Sequence, residues 1–386
     1  MGTVPSDWTR FRDQMPVTRR WSYLDNAAVA PLPAPTRAAI QHWLDQAADE
    51  GDTCWGQWRA TIERGRTTAA QLIGADPDEI AFVANTTTGI GLVAEGFPWQ
   101  PGDNVVTLAN EFPTNQYPWM NLADRGVETR RVAVEVEGPV DVERIAQYLD
   151  RRTRVLSISW VGFGTGWRVD LSELAALAHR YGARLFVDAI QGLGVFPLDV
   201  SAIPIDFLAA DGHKWLLGPE GAGLFYVRRE HLDLLRPVGV GWNSVAHASD
   251  YGRIEWQPRP TAARYEGGSY NMAGLIGLAA SLQFLADQGL SPTSTAIADR
   301  VLALTDYAVA RLHAAGAVVT TPRLGAHRSG IVAFEMPGRD SQALRRQCLD
   351  RQVVLACRGG RLRISPHAYA NEADLDRLLT ALDPAY

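Results

Sequence analysis

Lys214, in "DGHKW" (211–215), is the only lysine in a chain that holds 37 lysines and arginines together. Codon usage in a GC-rich genome accounts for the scarcity of lysine but not for the one that survives. A surface cation tolerates either residue, whereas condensation with a carbonyl compound needs a primary amine, which a guanidinium is not. A carboxylate and a carboxamide, Asp188 and Gln191, sit in "FVDAIQGLG" (186–194) at the end of an apolar run. "ANTTTGIG" (84–91) places Thr86, Thr87 and Thr88 between an apolar run and a helical pattern. Hydroxyls and unpaired backbone N–H groups at a helix N-terminus suit a phosphate, although the same threonines also suit simple N-capping.

Segments so far apart meet only if regular elements carry them. "EIAFVAN" (79–85), "NVVTLAN" (104–110), "RVLSISW" (154–160), "RLFVDA" (184–189), "DFLAAD" (206–211) and "GLFYVR" (223–228) read as buried strands. They alternate with helical stretches such as "DLSELAALAHRY" (170–181), where Asp170 is placed to cap, Glu173 follows three residues on, and Leu171, Leu174, Leu177 and Tyr181 recur at helical spacing. Such alternation predicts an α/β fold, a mostly parallel sheet flanked by helices, with ligands outside the carboxyl ends of the strands. The threonines, Asp188 and Lys214 each follow a predicted strand and so share one edge. A phosphate cradle, a carboxylate and an amine are together the parts of a pyridoxal 5′-phosphate site. In such a site the lysine forms a Schiff base, and the carboxylate pairs with the pyridinium nitrogen and keeps the ring an electron sink.

Beyond residue 240 the pattern changes. Residues 240–270 are irregular and rich in Gly, Pro and Trp, and a helix is expected near 272–287. The runs "AVVTT", "GIVAFEM", "VVLACRG" and "LRISP" then surround a helix near 341–351, and "NEADLDRLLTAL" (371–382) closes the chain with Leu375, Leu378, Leu379 and Leu382 on one stripe. The expected organisation is a large domain over 21–270, then a linking helix and a small α+β domain over 271–386. Helices near 34–49 and 58–73 could pack on either.

The formal net charge is −6 with no basic block, which argues against a nucleic-acid partner. No apolar run approaches the ~20 residues of a membrane span, and the N-terminus lacks the apolar core of a secretory signal. Cys54, Cys348 and Cys357 are odd in number and widely spaced, unlike a disulfide framework or a zinc site. A cytoplasmic location without a metal is expected.

"YLDNAAVAPLP" (23–33), "ANTTTGI", "VDAIQ", "DGHKWLLGPEGAGLFYV" (211–227), "YEGGSYNMAGLIGL" (265–278) and "LRISPHAYANEADLDRLL" (362–379) follow one another in the order of a known pattern. Across nearly its whole length the chain resembles the class V aminotransferase family of fold-type I pyridoxal phosphate enzymes, which includes cysteine desulfurases, selenocysteine lyases and isopenicillin N epimerase-like proteins. The resemblance implies a large domain with a mostly parallel seven-stranded sheet plus a small α+β domain. It makes Lys214 the catalytic Schiff-base lysine and proton carrier, and it assigns Asp188 to the pyridine nitrogen and Gln191 to the ring hydroxyl. Thr86, Thr87, Thr88 and His213 fall at the phosphate. Phe112 falls where desulfurases stack a histidine on the ring. Gly268 and Ser269 match a pair that reaches the phosphate of a neighbouring subunit, which implies a homodimer with shared sites. Arg363 matches the arginine that grips the substrate carboxylate, a task suited to a bidentate fork, with Asn26 and Ala28 beside it.

The implied reaction is one on a small amino-acid-like substrate through an external aldimine and a Cα carbanion, as transamination or Cβ/C–S lyase chemistry. Cysteine desulfurase or selenocysteine lyase, epimerase and a non-catalytic binding protein are the alternatives. Four departures from the desulfurase pattern bear on the choice. Phe112 cannot move protons as a histidine does. Asp211 stands where relatives carry Ser, Thr or Asn, and because a carboxylate repels a phosphate it is expected to turn away or bond a backbone group. Phe163 replaces an asparagine. The loop bearing the nucleophilic cysteine is missing from "ACRGGRLRISPH" (356–367), which leaves Cys357 as a structural cysteine. Trp55 and Trp58 match no catalytic position, and Arg168 is expected to pair with Asp170.

Overall fold

The computed structural model describes residues 8–134 and 139–383. β1 (Ser22–Tyr23) lies apart from the large sheet, whose strands are β2 (Ile80–Val83), β3 (Asn104–Leu108), β4 (Glu128–Val132), β5 (Thr153–Ser159), β6 (Arg184–Asp188), β7 (Phe207–Asp211) and β8 (Gly223–Val227). They run in the order β2-β8-β7-β6-β5-β3-β4, and only the two pairings made by β8 are antiparallel. β2, β3, β7 and β8 are buried along their whole length, which is why they appear in the sequence as unbroken apolar runs. β4 was not among the expected strands. Its "ETRRV" is an edge strand with only Val132 buried, so it carries no apolar signal.

The early helices are α1 (Trp8–Asp13), α2 (Ala34–Asp49), α3 (Trp55–Ile73), α4 (Thr86–Gly96), α5 (Tyr117–Met120) and α6 (Val142–Ala146). α7 (Leu171–Arg180) starts at Asp170, whose side chain accepts from the backbone N–H groups of Ser172 (2.8 Å) and Glu173 (3.1 Å). α8 (Met272–Asp287) is apolar nearly all round and lies under α2 and α3. Thr36 and Ser281 join their hydroxyls at 2.6 Å, and Ser281 donates to the Leu217 carbonyl at 2.8 Å. This tie fixes the loop that follows β7. Gly194 lets the same loop close: at φ +101° it meets Trp215, and a Cβ there would fall 2.3 Å from the Trp215 carbonyl oxygen.

A second sheet is formed by β9 (Val318–Val319), β10 (Val332–Glu335), β12 (Ala356–Arg358) and β13 (Arg361–Ile364), in the order β12-β13-β10-β9, while β11 (Val353–Val354) pairs in parallel with β1. α9 (Ala296–Ala314), α10 (Ser341–Asp350) and α11 (Glu372–Leu382) surround it. Its core draws Leu24 together with residues from Leu304 to Leu382. Residues 22–26 thus run along the C-terminal unit, and the Asn26 N–H reaches the Ser365 carbonyl at 3.2 Å. We propose that this unit takes in those N-terminal residues. Among the described residues no helix is long and apolar enough to cross a membrane.

Candidate active site

A cavity of about 390 Å³ opens where β2, β5, β6 and β7 end. Lys214, Asp188, Gln191, Thr86, Thr87, His213, Phe112, Ala28 and Arg363 all border it. The strand ends do much of the gathering: the residues come from six segments between positions 28 and 363, and those that follow strands of the large sheet are brought to one edge by its parallel pairing, whereas Arg363 comes from the second sheet.

Lys214 lies in the loop after β7, its Nζ 5.7 Å from the centre of the Phe112 ring. Burial pulls its ammonium down to about 8; Asp188 opposes that fall and Arg363 adds to it. Asp188 is the last residue of β6 and is 2% exposed. Its Oδ1 accepts from the Ile190 N–H at 3.2 Å. Burial lifts this carboxyl to about 6 against the pull of Ile190 and Lys214. Gln191 donates from Nε2 to the Ala27 carbonyl (2.9 Å) and accepts from the Trp215 indole (2.8 Å). Its orientation is thereby set, and one amide N–H remains to donate.

At the opposite end α4 points its N-terminus at the cavity. Thr86 accepts the Asp211 N–H at 3.0 Å, and Thr87 pairs its hydroxyl with that of Thr114 at 2.9 Å. Thr88 does not line the cavity. Its N–H (2.9 Å) and hydroxyl (3.1 Å) both donate to Asn85 Oδ1, so Asn85 is the cap and Thr88 is turned away by the helical advance from Thr86. Asp211 does not turn away as expected: it lines the cavity with Oδ1 3.1 Å from His213 Nδ1, opposite an imidazole rather than alone beside an anion.

Arg363, on β13 and 2% exposed, donates from Nη1 to the Phe163 carbonyl (2.7 Å) and from Nη2 to Asp25 (3.3 Å). Asn26 does not reach the cavity. It is buried between the Ser365 carbonyl (2.9 Å) and the Tyr369 hydroxyl (3.0 Å), and holds the turn that presents Ala27 and Ala28. Gly268 and Ser269 border a separate depression beside Glu266 and Tyr270. Arg168 makes no ion pair with Asp170. Its guanidinium lies 4.2 Å from the Phe196 ring centre and donates to the carbonyls of Ala326 and Arg328. Trp55 is exposed under Arg59, and Trp58 packs on Trp43.

Two residues at the site were missed in the sequence. Glu111, one position before Phe112, is buried and accepts from the Ser159 N–H (2.7 Å) and the Ser159 hydroxyl. Burial lifts its carboxyl to about 7 against those bonds. It ties the Phe112 segment to the end of β5, next to Asp188 in register. Arg358 enters at the cavity mouth from β12. The phenylalanine pair Phe112 and Phe163 meets edge to face at 5.2 Å and forms one wall. None of the three cysteines borders the cavity, and all are buried.

Among the described residues, Arg363 Nε of this cavity is buried without a hydrogen bond, and His213 Nδ1 and Asp211 Oδ1 face each other at 3.1 Å but hydrogen-bond to nothing else. A buried acid at one end, a helix N-terminus with two hydroxyls at the other and an amine between them match the charge pattern of pyridoxal phosphate. The fold and this site define a pyridoxal phosphate enzyme of fold type I. The aminotransferase class V profile matches residues 22–378, and the chain belongs to that family. It is 35% identical over 278 residues to a probable cysteine desulfurase of Methanothermobacter thermautotrophicus, covering 71% of this chain and 69% of that one. It is 33% identical over 342 residues to a cysteine desulfurase of Klebsiella pneumoniae, covering 85% and 82%. The crystal structure of a cysteine desulfurase from Escherichia coli superposes with a TM-score of 0.86 at 27% identity, covering 98% of each chain.

Proposed function

We propose that this enzyme cleaves the Cβ–S bond of cysteine or a cysteine-derived amino acid and releases the sulfur without passing it to a thiol of its own. Relatives named as cysteine desulfurases support carbon–sulfur chemistry. The observation that carries the second half is that no cysteine borders the cavity: Cys357, on β12, is buried and burial raises its thiol above the ordinary value. A low-pKa, accessible thiolate is what sulfur capture needs.

Lys214 would anchor the cofactor covalently, Asp188 would hold its ring nitrogen, Gln191 would offer its remaining N–H to the ring hydroxyl, and Thr86, Thr87 and His213 would receive the phosphate. When bound, pyridoxal phosphate supplies an electron sink for the pair left at Cα. Arg363, oriented by Phe163 and Asp25, takes the substrate carboxylate. The Lys214 amine, with its proton held near pH 8, is partly neutral at physiological pH and is the base at Cα. The Phe112 ring lies 5.7 Å from that amine and, with Phe163, gives it an apolar wall. Loss of the Cα proton leaves a pair that expels thiolate from Cβ. For cysteine the balanced outcome is cysteine plus water giving pyruvate, ammonia and hydrogen sulfide, with no net oxidation.

Gly268 and Ser269 lie off their own chain's cavity in an open depression, which suits a homodimer in which each copy completes its partner's phosphate site. Three buried free cysteines suit a reducing, cytoplasmic setting. The test is product analysis with cysteine: sulfide and pyruvate in equal amounts, unchanged in Cys357→Ser, are expected. Alanine in place of pyruvate, together with loss of sulfide in Cys357→Ser, overturns the reading in favour of a protein-bound persulfide.

A further inference from the structure

Asp211 and His213 stand together in the cavity, and the fold holds both in place. Asp211 is the last residue of β7, and its N–H is taken by the Thr86 hydroxyl at 3.0 Å. In register it lies opposite Gly223 of β8, where a Cβ would fall 2.8 Å from the Ala210 carbonyl oxygen, so glycine lets the two strand ends close. The His213 carbonyl accepts the Ala30 N–H at 2.7 Å. Asp211 is 5% exposed, and its Oδ1 faces His213 Nδ1 at 3.1 Å; among the described residues neither atom has another partner.

This arrangement decides what His213 can offer a ligand. A neutral imidazole has one N–H and one lone pair. With Nδ1 turned to Asp211, Nε2 is the nitrogen left for a phosphate at the N-terminus of α4. A carboxylate and a phosphate dianion only accept, so a ring set between them satisfies both only when each nitrogen carries a hydrogen. The charges agree with the hydrogens. A carboxylate repels a phosphate, and one proton on the ring between them offsets that repulsion. The surroundings supply no other countercharge dedicated to the pair. The first turn of α4, strand β8 and residues 27–30 carry no charged side chain, and Glu220 in the loop after β7 is exposed. Asp188, Lys214, Arg358 and Arg363 line the same cavity, with Lys214 assigned to the cofactor's carbonyl and Arg363 held by Phe163 and Asp25.

We propose that Asp211 is a positioning residue that makes His213 bind the phosphate as an imidazolium, so that the cofactor's phosphate enters together with one proton. The balance is cofactor-free protein plus phosphate dianion plus one proton, giving a complex in which that proton sits on His213. Affinity for the phosphate therefore falls as pH rises, by at most about tenfold per pH unit for one proton. This rests on the reading of the cavity as a pyridoxal phosphate site, and on the placing of Asp211 against His213 for the proton.

The probe is pyridoxine 5′-phosphate, which has no aldehyde, and the control is pyridoxine. Both are titrated calorimetrically into cofactor-free Lys214→Ala protein, where the lysine's own proton plays no part. Any proton tied to the ring nitrogen and Asp188 is common to probe and control and cancels. Above about pH 7.5 the free phosphate is already a dianion. Between about pH 7.5 and 9 the probe is expected to lose about tenfold in affinity beyond the control, and titration in two buffers of different ionisation enthalpy should count about one proton taken up. In Asp211→Asn, made in the same background, the extra loss shrinks to about twofold or less, and Asp211→Ser repeats the comparison with a smaller side chain. His213→Gln, which keeps an amide donor but takes no proton, abolishes it. A pH profile parallel to the control's, or an extra loss that survives in both Asp211 variants, overturns the proposal. If the probe binds no better than pyridoxine, the cofactor reading falls and the proposal with it. Tight binding of the probe with no linked proton leaves the cofactor reading standing and removes the proposal alone.

Discussion

Replacing Asp188 by Asn should stabilise the cofactor-free protein while destroying its function. The carboxyl sits at the end of β6 with one hydrogen bond, from Ile190, and burial raises it from its ordinary 3.8 to about 6. In the folded chain it therefore keeps its proton to higher pH than in the unfolded chain. The stability of the neutral form is fully present below about pH 4, is lost as pH rises through 6, and is gone at pH 7.5. The shift of roughly two units corresponds to about 3 kcal/mol at neutral pH. Asn keeps an acceptor for Ile190 and carries no charge to bury. We expect cofactor-free Asp188→Asn to be about 2–3 kcal/mol more stable than the wild type at pH 7.5, with the gap closing by pH 4. Removal of a countercharge to Lys214 takes back a little of the gain, because that amine is then easier to keep neutral but costlier to protonate. Calorimetric unfolding of both proteins, stripped of cofactor, across pH 4–8 measures this directly. A gap of the same size at every pH, or a less stable variant at pH 7.5, would refute the electrostatic account of the site.

Two further outcomes are expected. Borohydride treatment of the loaded protein should fix the cofactor on a single peptide, the one containing Lys214, and Lys214→Ala should fix none; mass spectrometry reads both, and label elsewhere counts against the assignment. Arg363→Lys should raise KM about 10–100-fold with kcat changed much less, since an ammonium cannot hold the Phe163 carbonyl and a substrate carboxylate in one fork; steady-state kinetics with cysteine decides it.

The fold was legible where burial is two-sided. Strands such as β7 and β8 are covered on both faces, so their sequences are continuous apolar runs, and Lys214, just past β7, lines the same cavity as Asp188 at the end of β6. β4 is exposed and polar, and only its pairing with β3 reveals it. At finer grain the sequence could not say which of adjacent residues faces in. Thr86 and Thr87 reach the cavity and Thr88 does not, because each helical step turns a side chain by about 100°. Asn26 is spent on Ser365 and Tyr369 while Ala28, two residues on, lines the wall. Glu111 and Arg358 went unnoticed for opposite reasons. One is an acid whose burial no local pattern announces, and the other is one arginine among many, singled out only by the register of a hairpin.

The solitary lysine and its arginine counterpart show how one environment serves two tasks. Lys214 and Arg363 border the same cavity, and burial lowers the proton affinity of both. For the amine the fall ends at about 8, within reach of physiological pH, so the group can give and take a proton. For the guanidinium it starts far higher and, with Asp25 and the Phe163 carbonyl attached, leaves a permanent cation that can only bind. A chain that uses arginine everywhere else can exchange lysine for arginine on its surface at little cost. At position 214 the same exchange would put a second fixed cation in the cavity and remove the only side-chain amine, the group proposed as base and cofactor anchor. Scarcity and retention of lysine thus have separate causes, one in composition and one in the proton chemistry of a buried site.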